Sequence, residues 1–188
     1  DNKWGTTLST FFEYSRGGRF SYTYAGNING DTSGQNNDLL YVPTSAEIQQ
    51  MQFDPTGDPG QAVAFDNYIA QDDYLSGRRG QYAERYGAQA PWRGRWDVKF
   101  LQDYKIKVSE NKTNTIQFSI DVLNIGNLVN SDWGLVQQPN NTSPIGVSVD
   151  PTTLVPTYSF NPNQTETFGY DSSLASRWQM QFGLRYIF

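Results

Sequence analysis

The chain of 188 residues is long enough for one domain, and it combines 15% aromatic residues with a mean hydropathy of −0.64. Cys and His are absent, which excludes disulfides, thiolate metal sites and the catalytic triads that use either residue. The formal net charge of −5 argues against nucleic-acid binding, which usually needs a dense basic face. No apolar run is long enough for a transmembrane helix, but transmembrane strands alternate apolar and polar residues and fit this composition.

The first two predicted elements are strands that form a hairpin. They cover residues 3–14 and 19–29, with the short turn Ser15-Arg16-Gly17-Gly18 between them. In the second strand, Phe20, Tyr22 and Tyr24 alternate with Arg19, Ser21 and Thr23. Successive side chains of a strand point to opposite faces, so this alternation predicts one apolar face and one polar face. A long connection, residues 30–93, follows.

A second hairpin is predicted from residues 94–108 and 114–128, joined by the polar turn 109–113. One face of its first strand is formed by Trp96, Val98, Phe100, Tyr104, Ile106 and Val108, and the other carries Asp97, Lys99, Asp103, Lys105 and Lys107. In its second strand, Ile116, Phe118, Ile120 and Val122 alternate with Thr115, Gln117, Ser119 and Asp121. The two strands therefore present matching faces. Residues 129–173 form a second long connection.

The last predicted strand, residues 174–188, has the clearest alternation in the chain. From Trp178 to Phe188 every even-numbered residue is large and apolar or aromatic, whereas the odd positions are polar or Gly apart from Ile187. Aromatic residues stand at both ends of this apolar stripe. Aromatic girdles at the two membrane interfaces are typical of transmembrane β-barrels.

The fold class that these patterns predict is all-β, an antiparallel transmembrane β-barrel. Each of the five strands exceeds the ~9–11 residues that cross a bilayer when tilted. Both tight turns fall on one side and both long loops on the other, as in outer-membrane barrels. The smallest barrels have about eight strands, so we expect these five to be the last strands of a larger barrel. A soluble sandwich is the alternative, but its strands are usually only about 5–6 residues long.

A series of motifs runs through the chain in a characteristic order. In the first loop these are Asn29-Gly30-Asp31-Thr32, Asn37-Asp38-Leu39-Leu40-Tyr41-Val42-Pro43, Phe65-Asp66-Asn67-Tyr68-Ile69, Asp73-Tyr74-Leu75, Arg78-Arg79-Gly80, Ala83-Glu84-Arg85 and Ala90-Pro91-Trp92. On the strands they are Leu101-Gln102-Asp103-Tyr104, Phe118-Ser119-Ile120-Asp121-Val122-Leu123-Asn124-Ile125-Gly126-Asn127-Leu128 and Gln181-Phe182-Gly183-Leu184-Arg185-Tyr186-Ile187-Phe188. In order and spacing the motifs resemble TonB-dependent receptors of the Oar-like and SusC-like type from Bacteroidota, with the Oar-like receptors the nearer match.

The resemblance implies that residues 1–188 are the C-terminal part of a barrel of about 22 strands with a plugged lumen. The implied function is TonB-dependent active transport across the cell outer membrane, by uptake or export, with extracellular loops and a periplasmic C-terminus. Implied partners are a TonB-type energy-coupling protein acting on a region before residue 1, the barrel-assembly machinery, outer-membrane lipid and a surface lipoprotein lid. The N-terminus carries no signal peptide, so we expect the chain to begin inside a longer protein.

Two sets of strand residues are candidate functional positions. Phe182, Tyr186 and Phe188 resemble the C-terminal signal that the barrel-assembly machinery reads, and they also fit as lipid-facing aromatics. The residues that we expect to face the lumen, in contact with the plug or the transport path, are Asp97, Lys99, Asp103, Lys105, Lys107, Asp121 and Arg185. Their mixed signs favour ion pairs with plug residues over recognition of one charged substrate.

The first loop contains a group of arginines. Arg78, Arg79 and Arg85 are candidate contacts for an anionic ligand or for lipopolysaccharide phosphates. Pairing with acidic residues nearby is the favoured interpretation, and the candidates are Asp72, Asp73 and Glu84. The same carboxylates are candidates for the acid pair of a glycosidase, but they lack a catalytic context, and we expect no enzymatic activity.

An oxygen-rich cluster near the start of the same loop is a weak candidate for Ca²⁺ binding. It contains Asp31 and Asp38, with Asn36 and Asn37, and Ca²⁺ takes about six to eight oxygen ligands. Asn and Asp are also common in turns, and this interpretation is favoured. We expect no other cofactor.

Transport is the leading functional hypothesis, and two others stay open. One is a surface-exposed β-rich module for binding or adhesion, which would dissolve without detergent. The other is a passive porin-like channel without a plug. The substrate of a transporter stays open among iron chelates, glycans, peptides and whole proteins.

Overall fold

The computed structural model describes residues 2–31 and 36–188. Asp1, and residues 32–35 of the predicted loop 30–93 with Thr32 of its first motif, lie outside the described residues. The chain divides into two compact units. The sheet unit comprises the residues up to Arg16 together with Trp92–Gln137 and Tyr170–Phe188, and the loop unit comprises Gly17–Pro91 and Gln138–Gly169.

Strands make up most of the regular structure. They are β1 (Trp4–Arg16), β2 (Arg19–Phe20), β3 (Tyr24–Ala25), β4 (Tyr41–Val42), β5 (Gln81–Tyr82), β6 (Ala88–Gln89), β7 (Trp92–Ser109), β8 (Lys112–Leu123), β9 (Gln137–Pro139), β10 (Ile145–Val149), β11 (Pro156–Ser159), β12 (Phe168–Tyr170) and β13 (Gln179–Ile187). The helices are α1 (Ser45–Ile48), α2 (Gln61–Gln71), α3 (Asp73–Ser76) and α4 (Ile125–Val129), and a 3₁₀ helix covers Leu174–Ser176. Within the described ranges, none of the helices has the length and the apolar composition that crossing a membrane requires.

Four long strands form the antiparallel sheet of the sheet unit, in the order β1-β7-β8-β13. They contain 13, 18, 12 and 9 residues. One register runs across all four, with Leu8 opposite Phe100, Phe100 opposite Ile120, and Ile120 opposite Phe182. Within the described residues, β1 pairs only with β7 and β13 only with β8, so each is an edge strand. The predominance of antiparallel strand agrees with the all-β part of the predicted fold class.

The predicted strand 19–29 is wrong, so the sheet has four long strands where five were expected. In this range only the two-residue strands β2 and β3 form. Tyr22 and Tyr24 are 0% and 5% exposed and belong to the core of the loop unit. Their alternation with polar residues therefore reflects packing inside a globular core, because the period of two does not distinguish such a core from a sheet face.

The position of the turn at residues 15–18 also differs from the prediction. It was expected at the same end of the sheet as the turn at residues 109–113, and it lies at the opposite end. Arg16 is opposite Trp92, whereas β7 turns into β8 at its far end. One tight turn therefore stands at one end of the sheet, and both long connections leave from the other end. Gly17 donates its N–H to the carbonyl of Pro91 at 3.0 Å, and a Cβ atom there would collide with Ala90. The chain leaves β1 through a close backbone approach that only glycine permits.

Two further strand boundaries differ from the prediction. The strand predicted to end at residue 128 ends at Leu123, because Asn124 adopts a left-handed conformation with φ of 53° and α4 follows it. Asn is one of the few residues that tolerate this conformation. The strand predicted from residue 174 begins at Gln179, after the 3₁₀ helix.

The loop unit has a hydrophobic core of its own, although most of its residues were predicted to be connections between strands. Phe65, Tyr68 and Ile69 on α2 are buried at helical spacing and form one side of this core. The other large buried side chains are Tyr22, Tyr24, Leu40, Val42, Ile48, Leu75, Ile145, Val147 and Phe160. Among the described residues of the sheet unit, the only buried hydrophobic side chain is Val122. Most of the interior packing of this chain is therefore in its loops.

A buried carboxylate joins three separate segments of the loop unit. Asp72 is 5% exposed, and its Oδ2 accepts hydrogen bonds from the hydroxyls of Tyr22 and Thr167, each at 2.7 Å. Its Oδ1 accepts the N–H of Leu75 at 2.8 Å and caps α3. These donors offset the cost of burying the charge. Burial, followed by the nearby charge of Asp72, raises the pKa of the Tyr22 phenol.

We expect the loop unit to lose stability as the pH rises above about 10, the ordinary pKa of tyrosine. The unfolded chain then releases the Tyr22 proton while the folded chain retains it, so the contribution is complete at neutral pH and falls at alkaline pH. Tyr22→Phe should flatten this alkaline fall. At pH 7 it should cost about 1.5–3 kcal/mol, because a hydrogen bond to a charged group is lost.

The measurement is the free energy of unfolding as a function of pH, followed by near-UV circular dichroism. Tyr86→Phe is the matched control, because Tyr86 is in the same unit and 56% exposed. An alkaline fall of equal steepness in both variants would contradict the role of Tyr22.

Candidate functional site

All seven residues predicted to face the lumen lie on one face of the sheet, the polar face. Residues paired across strands share a face. Lys99 is opposite Asp121, Asp103 is opposite Gln117, and Gln117 is opposite Arg185. Asp97, Lys105 and Lys107 lie an even number of residues from Lys99 on β7 and share its face. Their common face is thus established, and their role in a lumen stays a prediction.

Three of the seven predicted residues form ion pairs within the sheet. Lys99 and Asp121 form an ion pair between β7 and β8 at 2.9 Å. Arg95, which was not predicted to face the lumen, pairs with Asp97 at 2.8 Å on the same strand. Asp103 accepts a hydrogen bond from the Gln117 amide at 2.8 Å. The remaining predicted residues form no ion pair within the described part of the chain, so the face is only partly neutralised; they are Lys105, Lys107 and Arg185.

The opposite face of the sheet, the apolar face, carries large exposed side chains. Leu8 is 71% exposed, Phe12 is 68%, Phe182 is 63% and Leu184 is 78%. Single exposed apolar residues are normal, but a contiguous apolar surface that spans four strands marks a site that contacts a partner or a membrane. The face is therefore the largest feature of the sheet unit that requires a functional explanation.

Aromatic side chains bound the apolar face at both ends of the strands. In the row nearer the β7–β8 turn, Trp4 and Tyr186 flank Tyr104 and Ile116 in register. In the row nearer the long connections, Phe12 is opposite Trp96, and beyond it Tyr14 stacks on Trp92 at 5.1 Å. The three rows between them carry aliphatic side chains, phenylalanines and three polar residues, but no Trp or Tyr. This is the distribution that interfacial aromatic belts have in membrane proteins.

Three polar side chains in the middle rows of the apolar face are hydrogen-bonded to each other, to the backbone or to an indole. Two others on this face differ, because Arg16 lies over the Trp92 ring and the buried Oδ1 of Asn114 has no hydrogen-bond partner among the described residues. Thr6 donates to Oε1 of Gln102 at 2.8 Å, and Nε2 of Gln102 donates to the carbonyl of Gly5 at 3.0 Å. The Trp96 indole N–H donates to the Thr10 hydroxyl at 2.6 Å. Surface groups in water have no need of such partners, whereas groups that face an apolar medium do.

The predicted assembly-signal residues are exposed at the C-terminal strand. Phe182 and Tyr186 lie on the apolar face, and Phe188 follows the strand with 83% of its surface exposed. The rings of Tyr186 and Phe188 are 6.0 Å apart, and the Tyr186 hydroxyl accepts a hydrogen bond from Asn114. The side chains are thus accessible, and recognition by an assembly machinery stays a prediction.

The loop arginines are held mainly by contacts within the loop unit. Arg78 pairs with Glu84, and its guanidinium lies 5.5 Å from the Tyr74 ring centroid. Arg79 pairs with Asp66 at 2.7 Å. Arg85 lies over its neighbour Tyr86, again at 5.5 Å. Glu84 is the only one of the three expected acidic partners that pairs with these arginines, because Asp72 is buried with hydroxyl donors.

The two carboxylates of the weak Ca²⁺ candidate take part in turn hydrogen bonds. The Asn29 amide donates to Asp31 at 3.0 Å and to Asp38 at 2.8 Å. The second oxygen of Asp38 accepts the N–H of Ile28 at 3.0 Å. Within residues 2–31 and 36–188 no three acidic side chains come together in a way that could hold a metal ion. Binding of Ca²⁺ at this place stays a prediction.

Two cavities were not identified from the sequence. In the loop unit, a cavity of about 160 Å³ is lined by Tyr24, Tyr41, Glu47, Met51, Phe65 and Tyr158. In the sheet unit, a cavity of about 250 Å³ is lined by Arg95, Asn124, Leu174, Arg177 and Gln179. Both bring together residues far apart in sequence, so no local motif indicated them.

We expect Thr6→Val to destabilise the sheet by about 1–3 kcal/mol, because Oε1 of Gln102 then loses its donor on the apolar face. The double substitution Thr6→Val with Gln102→Leu should cost less, since it removes both polar groups together. The measurement is the free energy of urea unfolding in lipid vesicles, followed by tryptophan fluorescence. A double variant that is less stable than Thr6→Val would contradict an apolar surrounding.

Comparison with known proteins identifies no relative of this chain. No protein-family model matches it, no curated protein is significantly similar to it, and no solved structure matches it. A function therefore has to be inferred from the faces of the sheet, the cavities and the sequence motifs of the chain itself.

Proposed function

We propose that this chain supplies four strands, and the loops between them, to a β-barrel of the bacterial outer membrane that carries out TonB-dependent transport. The observation that carries the proposal is the two-faced sheet. One face is apolar, exposed and bounded by aromatic rows, and the other is polar and charged. A membrane barrel uses both faces, because lipid covers the outside and water or a plug lies against the inside.

The dimensions of the apolar band fit a bilayer. Trp96 and Tyr104 are eight residues apart on β7. This corresponds to ~26 Å along the strand and, at a tilt of ~40°, to ~20 Å along the membrane normal. From Trp92 to Tyr104 the same estimate gives ~30 Å. The apolar band of outer-membrane barrels, about 25 Å tall, lies between these two values.

The free edges of β1 and β13 favour a barrel over an isolated sheet. Unpaired backbone N–H and C=O groups cost several kcal/mol each in lipid, so a spanning sheet has to close on itself. Further strands would pair with these two edges, because four strands are too few for closure. With the tight turn and the C-terminus at one end of the sheet, that end would be periplasmic and the loop unit extracellular.

Transport through the barrel is supported by the polar face and by the resemblance to TonB-dependent receptors. Ion pairs such as Lys99–Asp121 give the inner wall charges of both signs. Such a wall suits contact with a plug or passage of a hydrated substrate. Energy coupling would require a TonB-type protein, as in the receptors that the motifs resemble.

We expect Leu184→Arg to reduce assembly in the outer membrane. Leu184 is on the apolar face, opposite Phe118 and one row from Tyr186, and an arginine on the lipid-facing side costs from about 0–1 kcal/mol near the interface up to about 2–4 kcal/mol at the midplane. Gln181→Arg is the control, because Gln181 is on the polar face opposite Asp121. The measurement is the fraction of each variant that resists protease in isolated outer membranes.

The same comparison distinguishes a sheet that lies in the membrane from the soluble binding module. In a water-soluble sheet, Leu184 is a surface position at which arginine should be tolerated as well as at Gln181. Equal behaviour of the two variants, with both dissolving without detergent, would therefore overturn the membrane proposal.

Single cysteines give a second test, because the chain contains no Cys of its own. In outer membranes, Gln181→Cys should react with a water-soluble, membrane-impermeant maleimide, and Leu184→Cys should not. After extraction into urea, both should react equally. Fast labelling of Leu184→Cys in the membrane would show that the apolar face does not contact lipid.

A further inference from the structure

The tyrosine-lined cavity of the loop unit has one charged side chain in its wall, Glu47. Its Oε1 accepts the Tyr41 hydroxyl at 2.9 Å. Its Oε2 accepts the N–H and the hydroxyl of Thr44, at 2.7 and 2.9 Å. The N–H of Thr44, followed by the Tyr41 and Thr44 hydroxyls, holds the pKa of Glu47 below its ordinary value. The wall therefore carries a permanent negative charge at neutral pH.

The carboxylate retains capacity for one more donor. A carboxylate has about four lone-pair sites, and three donors occupy Glu47. The capping box of α1 accounts for the two bonds at Oε2. It does not account for the Tyr41 bond, or for a cavity beside the carboxylate. An additional donor that enters this cavity would meet a fixed and ionised acceptor.

Aromatic rings surround the same space. Tyr24 and Tyr158 have ring centroids 6.4 Å apart and planes inclined by 38°. Tyr41 and Phe65 contribute further rings to the wall, and Met51 contributes a polarisable thioether. Ring faces attract cations through the aromatic quadrupole, and several rings around one space form the cages that bind ammonium groups. The wall is thus attractive to a cation on more than one side.

The net charge of the loop unit favours the same ligand. Its residues include eleven acidic side chains against four arginines, which gives a formal net charge of −7. Two of the arginines, Arg78 and Arg79, form ion pairs, and none of the four lines the cavity. An acidic surface raises the local concentration of cations and steers them towards such a site.

We propose that this cavity binds an alkylammonium group, with Glu47 as the anion and Tyr24, Tyr41 and Tyr158 as the aromatic walls. The volume of about 160 Å³ admits a head group and a short aliphatic stem, so the rest of a larger ligand would lie outside the cavity. The group could belong to a lysine side chain of a peptide or to a polyamine. The inference does not depend on the four strands spanning a membrane.

The test is calorimetric titration of the whole chain, in a non-ionic detergent, with n-butylammonium as the probe and n-butanol as its neutral counterpart. We expect saturable binding of n-butylammonium and none of n-butanol at equal concentration. Equal binding of both, or binding of neither, would overturn the proposal. Nα-acetyl-lysine amide and spermidine, titrated in the same way, distinguish a peptide from a polyamine source.

Substitutions locate the site. Glu47→Gln keeps the shape of the capping residue and should weaken n-butylammonium binding tenfold or more. Glu166→Gln, an exposed position in the same unit, makes the same change in net charge and should leave binding unchanged. Tyr158→Leu should weaken binding severalfold, and Tyr158→Phe should retain it. Equal effects of the two glutamate variants would show non-specific attraction and would overturn the site, while leaving the results at Leu184 and Gln181 unaffected.

Discussion

The need to cover one apolar sheet face is the constraint on which the rest of the structure depends. Side chains such as Leu8, Phe182 and Leu184 are each more than 60% exposed, and burying a side chain of this size is worth about 1.5–3 kcal/mol. The sheet also leaves one side of β1 and one side of β13 without backbone partners. Lipid by itself would cover the face but not the edges. Further strands by themselves would cover the edges but not the face. A membrane barrel supplies both together, which is why the proposed function follows from the sheet more directly than from any single residue.

The loop unit needs no external cover for its apolar side chains, because it buries them in its own core. Its core forms around α2, and Asp72 links Tyr22, Thr167 and the start of α3 through hydrogen bonds at 2.7–2.8 Å. A compact unit of this kind can hold a cavity wall in a fixed geometry, which an irregular loop cannot. The proposed ammonium site uses this property, since Glu47 is positioned by Thr44 and Tyr41 before any ligand binds.

The polar residues are explained by the face on which they lie. On the polar face, some charges of opposite sign pair between strands, as Lys99 does with Asp121, or along one strand, as Arg95 does with Asp97. On the apolar face, Thr6, Gln102 and Thr10 direct their polar atoms to one another, to the backbone or to the Trp96 indole. The same residue types thus have different partners on the two faces, and the difference matches the medium that each face would contact in a barrel.

The sequence by itself determined the strands β1, β7, β8 and β13 and their two faces, because a period of two places alternate side chains on opposite sides whatever the neighbours are. The short polar turn also predicted that β7 and β8 pair, but only the tertiary structure decided how β1 and β13 pair, since these contacts join distant segments. The tertiary structure also showed that Tyr22 and Tyr24 belong to a globular core, although they alternate with polar residues as regularly as the residues of the long strands do. The cavity around Glu47 also depends on tertiary structure, because its walls come from residues 24 to 158 and meet only after the loop unit has folded.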